Sequence, residues 1–151
     1  MPKFYQGQYE VKNPKKYLGS KVPYFRSSWE KTLMEFFDNN SSILGWASES
    51  HRIPYVHPIT KKITTYVPDF FVVYKNAQGI TVAEMLEVKP SSQILENAKK
   101  KSDVVQGIIN QEKWKMAKQW CDQQGIGFRV VTEKEIYRKS GKNDKKTWRF
   151  F

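Results

Sequence analysis

The sequence predicts a mixed α/β domain in which a sheet is covered by helices. Three observations lead there. A run rich in β-branched and aromatic residues, Ile63 to Tyr74, returns as Ile80 to Val88 across the turn-forming Asn76-Ala77-Gln78-Gly79. Segments with helical spacing of apolar residues lie on both sides of this hairpin. A compact apolar stretch, Ile126 to Val131, follows the second of them. The expected order is helix, β-hairpin, helix, strand, helix, which is a layered α/β architecture.

Each element has its own signals. Residues 1–24 carry prolines at 2, 14 and 23 and read as an extended arm. A helix begins at Ser27, with Trp29, Leu33, Phe36 and Phe37 at helical spacing, and Asn39-Asn40-Ser41-Ser42 ends it. Residues 43–57, interrupted by Gly45 and Pro54 and followed by Pro58, suit short strand pieces. Pro90-Ser91-Ser92 stops the second hairpin arm and starts a helical region through Lys101. Glu112 to Gln124 is an amphipathic helix closed by Gly125. Thr132 to Lys139 is a final short helix, with Thr132 as N-cap and Glu135 three residues on.

The chain of 151 residues has room for one compact domain. Its aromatic content, 15%, supports a core and excludes wholesale disorder. The longest apolar or aromatic run, Phe70 to Tyr74, is too short to cross a bilayer or act as a signal peptide. The single cysteine, Cys121, excludes an internal disulfide framework and a Cys-based zinc site, and reads as a small buried residue.

The net charge of +11 points to a polyanionic partner. Residues 1–26 hold six cations against Glu10, and residues 134–149 hold seven against Glu135 and Asp144, so each end carries +5 and the centre only +1. Aromatic residues alternate with the cations in both ends: Phe4, Tyr5, Tyr17, Tyr24 and Phe25 in one, Tyr137, Trp148 and Phe150 in the other. That mixture suits a phosphate backbone and stacked bases, with solvated termini as the plainer alternative. Lys12, Lys15, Lys16 and Arg26 are the nucleic-acid-binding candidates. The division implied is a basic arm over 1–26, a catalytic domain over 27–139 and a basic tail over 140–151.

The hairpin holds the chemistry, in Val67-Pro68-Asp69-Phe70-Phe71 and Leu86-Glu87-Val88-Lys89-Pro90. Across the turn, paired residue numbers sum to about 155 or 156, which sets Asp69 opposite Leu86 or Glu87. Alternation puts Glu87 and Lys89 on one face, and the 156 register adds Asp69 to it. Two carboxylates that close, beside apolar strands, call for a cation. Mg²⁺ takes oxygen ligands and needs only one or two carboxylates, and Lys89 would orient water or neutralise charge in phosphodiester hydrolysis.

Ser27-Ser28-Trp29-Glu30 satisfies the capping-box pattern, and the residues alone favour a cap for Glu30 over a third inward carboxylate. Arg26 suits a phosphate contact or an ordinary surface charge. His51 and His57 lack partners at ligand spacing and read as structural. Trp114 and Trp120, six apart, point different ways, with one of them in the core.

Val67-Pro68-Asp69 with Leu86-Glu87-Val88-Lys89 resembles the PD-(D/E)XK nuclease signature. Tyr24-Phe25-Arg26-Ser27-Ser28-Trp29-Glu30 extends the likeness to the TnsA-like subgroup. Asn13-Pro14-Lys15-Lys16-Tyr17-Leu18-Gly19 and Pro68-Asp69-Phe70-Phe71 are similar to the head-completion nucleases of T-even-type phages, over residues 12 to 90 or so. The resemblance implies a restriction-endonuclease-like sheet core flanked by helices. It implies Asp69 and Glu87 as metal ligands, Lys89 as catalytic lysine and Glu30 as the acidic residue of the first helix. It implies Mg²⁺ or Mn²⁺ as cofactor, double-stranded DNA as substrate and phage head or neck proteins as partners. The place of action would be the virion or host cytoplasm during assembly, without secretion. Two rivals stay open: a DNA-binding head–tail junction protein with a vestigial site, and a transposon-type endonuclease.

Overall fold

The computed structural model describes residues 5–136. Strands β3 (Ile43–Ser48), β6 (Phe70–Lys75), β7 (Thr81–Val88) and β8 (Gly127–Val131) form a four-stranded sheet in the order β3-β6-β7-β8. The first three are antiparallel and β8 runs parallel to β7, the crossover being made by helix α2 (Lys101–Gln124). Strands β4 (Ile53–Val56) and β5 (Ile63–Tyr66) make a separate two-stranded ribbon, and β1 (Gly7–Gln8) pairs with β2 (Tyr24–Phe25). This is the mixed sheet with flanking helices that the sequence predicts.

Helix α1 (Ser28–Asn39) covers one sheet face. Its Leu33, Met34 and Phe37 are buried against Trp46, Phe70, Val72, Leu86 and Val88, alternate residues of their strands. The Ser27 side chain accepts from the Glu30 amide at 3.2 Å and so caps the helix as expected. On the opposite face the His51 ring lies between Phe71 and Trp120 of α2. Gly125, at φ 75°, closes α2 in the left-handed conformation that glycine adopts without a Cβ penalty.

Three boundaries differ from the sequence reading. The run Ile63 to Tyr74 is two strands, because Pro68 has no N–H to donate and the chain bends at Val67-Pro68-Asp69. Residues 91–97 form two 3₁₀ turns (Ser91–Gln93 and Leu95–Asn97) instead of an α-helix. Helix α2 begins at Lys101, eleven residues before Glu112. Thr132 and Glu135 do form the capping box of α3 (Glu133–Ile136), the Thr132 amide donating to Glu135 at 2.9 Å. The expected continuation to Lys139 and the basic tail with Tyr137, Trp148 and Phe150 lie outside the described residues, as do Lys3 and Phe4.

The basic N-terminal segment is extended and also docked. Tyr9 and Phe25 are buried, and the Leu18 amide donates to the Trp46 carbonyl at 2.8 Å. Its anchor is the fully buried Asp38 near the end of α1. That carboxylate accepts from the Tyr9 hydroxyl (2.8 Å) and from the amides of Lys12 (2.7 Å) and Asn13 (3.0 Å). Removing it strands three donors, so Asp38→Ala should destabilise the fold by about 3 kcal/mol. Chemical denaturation checks this; a change below about 0.5 kcal/mol would contradict the anchoring role.

Candidate active site

The ladder between β6 and β7 pairs Phe70 with Leu86 and Phe71 with Met85, the 156 register. Continued one step, it sets Asp69 across from Glu87. Strand β7 lies between β6 and β8, so Glu87 is held in mid-sheet with 5% exposure. One Asp69 carboxylate oxygen accepts from the Val88 amide at 2.7 Å. The Lys89 ammonium is 3.6 Å from Glu87 Oε2, and the Lys89 amide donates to the Val131 carbonyl at 3.0 Å. Three residues separated by up to twenty positions thus converge at one end of the sheet.

Glu30 arrives from the start of α1. Its carboxylate accepts from the Arg26 amide at 3.3 Å, one residue earlier than the capping-box pattern predicts. It is also within electrostatic reach of Glu87 and Asp69. A cap and an inward-facing acid are therefore compatible: the same side chain leans from the helix end toward the other carboxylates. Burial, then the charges of Glu49 and Glu87, push its pKa up to about 7 against the opposing Arg26. Burial and the charges of Glu87 and Glu30 hold Asp69 well above the usual carboxylate range. Burial raises Glu87 too, though the Lys89 ammonium opposes it.

This electrostatic stress is what a bound cation would relieve. Glu87 Oε1 is buried and makes no hydrogen bond of ordinary geometry, with Tyr66 and Asp69 as its polar neighbours. Among the described residues no three His, Cys, Asp or Glu side chains form a ready metal cage. Two convergent carboxylates nevertheless match the habits of Mg²⁺, which often takes only one or two and fills the rest of its shell with water and phosphate, so the residues present fit such an ion.

The remaining candidates are distributed around this centre. The Arg26 guanidinium is exposed, 3.0 Å from Glu49 and over the Tyr24 ring at 5.2 Å, and its charge is felt by Glu30. Lys12 and Lys15 are exposed, Lys12 lying 4.0 Å from Glu10. The Lys16 ammonium donates to the carbonyls of Asp38 (3.1 Å) and Asn40 (2.7 Å), so it caps the carbonyl end of α1. His51 and His57 are structural: the first bonds Ser50 at 2.7 Å, and the second accepts from the amides of Ile59 and Thr60 at 3.2 Å. Trp114 and Trp120 are both half-buried against a cluster of Ile53, Tyr55, Tyr66 and Ala117, so neither alone is the core residue of the pair. Cys121 is fully buried, and burial pushes its thiol up to about 11, the state of an inert residue.

Three neighbours of the centre were not foreseen. The Tyr66 phenol stands beside Glu87, which together with burial raises its pKa, yet it makes no hydrogen bond of ordinary geometry. Lys113 of α2 lies over the Tyr66 ring at 5.3 Å and shares the field of Lys89, Glu87 and Asp69. Glu49, at φ 50°, donates its amide to the Asp69 carbonyl at 2.9 Å and pairs with Arg26. Tyr66 could have been flagged by its place beside Val67-Pro68-Asp69. A lysine on a polar helix and a glutamate in a loop carry no local signal of this kind.

Comparison with known proteins agrees with this geometry. The TnsA-like endonuclease N-terminal family matches residues 40–133, which include Asp69, Glu87 and Lys89. The chain is 32% identical over 142 residues to the head completion nuclease of Enterobacteria phage T4, covering 85% of this chain and 91% of the other. A match over more than half the chain, a relative covered almost end to end, and a mixed sheet with the acidic cluster at one end of its central strands all agree: the chain belongs to the TnsA-like endonuclease family.

Proposed function

We propose that the chain is a metal-dependent nuclease that hydrolyses phosphodiester bonds of double-stranded DNA during phage head completion. The observation that carries the reading is the convergence of Asp69, Glu87 and Lys89, with a buried Glu87 oxygen left unpartnered. The relative's name supplies the assembly context, and phage head or neck proteins are the partners it suggests.

Asp69 and Glu87 would hold Mg²⁺ or Mn²⁺, which supplies Lewis acidity at the phosphoryl oxygen and a more acidic water. The chain's own residues do the rest. Ion pairing with Glu87 keeps the Lys89 ammonium in place, where it orients the attacking water and stabilises charge on the phosphorane oxygens. Glu30, reaching from the start of α1, adds a third acidic group beside the two carboxylates. Arg26, at the rim, with Lys12 and Lys15, holds backbone phosphates and sets the register of the duplex. Lys16 would join them only by releasing the carbonyls it caps.

The direct test is cleavage of linear and circular duplex DNA with Mg²⁺ and with EDTA. Cleavage of both forms in Mg²⁺ and of neither in EDTA is expected for an internal cutter; loss of only the linear form would indicate attack from ends. Undiminished cleavage in EDTA would refute the metal-dependent reading.

A further inference from the structure

The β4–β5 ribbon is unlike the rest of the centre of the chain in charge. From His51 to Tyr66 it holds Arg52, Lys61 and Lys62 and no acidic residue, although residues 27–133 as a whole are close to neutral. All three cations are exposed.

The ribbon has one committed face and one free face. Ile53, Tyr55 and Tyr66 are buried against Ala117 of α2, with Trp114, Met116, Trp120 and Phe128 around them. The register pairs Pro54 with Thr65 and Val56 with Ile63, and directly opposed residues share a face. Those four residues are all exposed and uncharged, Ile63 at 78%. Among the described residues neither outer edge of the ribbon is paired.

Its tip is built, not slack. The His57 amide donates to the Lys62 carbonyl, and the Lys61 amide to the His57 carbonyl, both at 2.9 Å. The His57 ring accepts from the next two amides with hydrogens to spare, Ile59 and Thr60, and Lys61 takes a positive φ of 62°. Ile59 remains 59% exposed at that tip, beside the two lysines. Tyr66, at the base of β5, is next to Glu87, and Asp69 follows three residues later.

We infer that the β4–β5 ribbon is a DNA-binding wing that enters a duplex groove next to the scissile phosphate. A two-stranded ribbon fits the major groove, which is about 12 Å wide. The uncharged outer face meets sugars and base edges, while Arg52, Lys61 and Lys62 meet phosphates on the groove walls. Charge complementarity selects nucleic acid over another protein surface, because the ribbon offers an incoming polyanion three cations and no repelling carboxylate. This inference rests on the reading of the chain as a DNA nuclease and adds a second contact surface to the N-terminal one.

The test measures duplex binding in EDTA, where cleavage does not intervene. The double variant Lys61→Ala/Lys62→Ala should weaken binding about tenfold or more at low salt and reduce the salt slope by about 2, one unit per phosphate lost. In Mg²⁺ it should raise KM and leave kcat at saturating DNA near the parental value. A photo-reactive residue in place of Ile63 should cross-link to duplex DNA, while the same residue at Ile80, exposed in the β6–β7 turn, should not. Parental binding by the double variant, or cross-linking of Ile63 to a second protein copy instead of DNA, would overturn the wing. A failure of the active-site reading looks different: Glu87→Ala would then cleave normally, whatever the ribbon variants do.

Discussion

Replacing Glu87 with Ala, or Lys89 with Ala, is expected to abolish metal-dependent DNA cleavage while duplex binding in EDTA persists. Glu87 is buried in a central strand, with one oxygen on Lys89 and the other unpartnered, so its loss would remove the proposed cation ligand and free the lysine together. A drop of at least about 10³-fold is expected for Glu87→Ala, and of about 10²–10³-fold for Lys89→Ala, typical of losing a preorganised charge at a phosphoryl transition state. Binding persists because exposed cations such as Arg26 and Lys15 are untouched. The measurement is single-turnover cleavage beside a mobility-shift titration, with circular dichroism to confirm folding. Cleavage at the parental rate by both variants would sink the site assignment. Virions completed normally with a cleavage-dead Lys89 variant would favour the junction-protein reading, in which the site is vestigial.

The metal-free protein should lose stability as pH rises from about 4.5 to 7, and Mg²⁺ should restore it. The sign follows from Glu30, which binds a proton up to about pH 7 when folded but only to about 4.5 when unfolded. In that window the native state holds more protons than the unfolded state, so the contribution of Glu30 to stability falls with rising pH and is lost above about 7. The difference amounts to on the order of 3 kcal/mol at about 1.4 kcal/mol per pH unit. The raised Asp69 and Glu87 act in the same direction. Glu133 works the other way: although burial raises it, its bonds to the Ser91 hydroxyl and amide leave it below its ordinary value, so acid removes that support. Urea melts at pH 5, 6, 7 and 8, with EDTA or with Mg²⁺, read the effect. A bound cation at one hundred times its Kd adds about 2.7 kcal/mol. A flat profile in EDTA, or no gain from Mg²⁺ at pH 8, would contradict the crowded-carboxylate account. Glu30→Gln should flatten the slope.

Several features were legible in the chain itself because they depend on short separations. The turn at Asn76 to Gly79 narrows the hairpin to two registers, and alternation puts Glu87 and Lys89 on one face in either. The observed 156 pairing is what adds Asp69 to that face. The Ser27 and Thr132 caps and the Gly125 stop are similarly local. The break at Val67-Pro68-Asp69 was hidden because Ile63 to Tyr74 has strand propensity throughout; the division appears only when β5 finds β4 and β6 finds β3. The start of α2 is not legible because residues 101–111 have no clean apolar stripe and are held in place by the 3₁₀ turns, Gly107 lying against Leu95.

What the sequence by itself determined is the kind of chemistry: an acidic pair and a lysine on one hairpin, within a basic chain. Tertiary structure decided which other groups surround them. It brought Glu30 from a helix start, Lys113 from α2 and Glu49 from a loop to the same end of the sheet. It also committed Lys16 to a helix end and left the outer face of the β4–β5 ribbon bare. The reason is distance along the chain. Backbone alternation and turn geometry act over a few residues and can be read in order, whereas burial, orphaned acceptors and shared fields depend on which distant surfaces pack together.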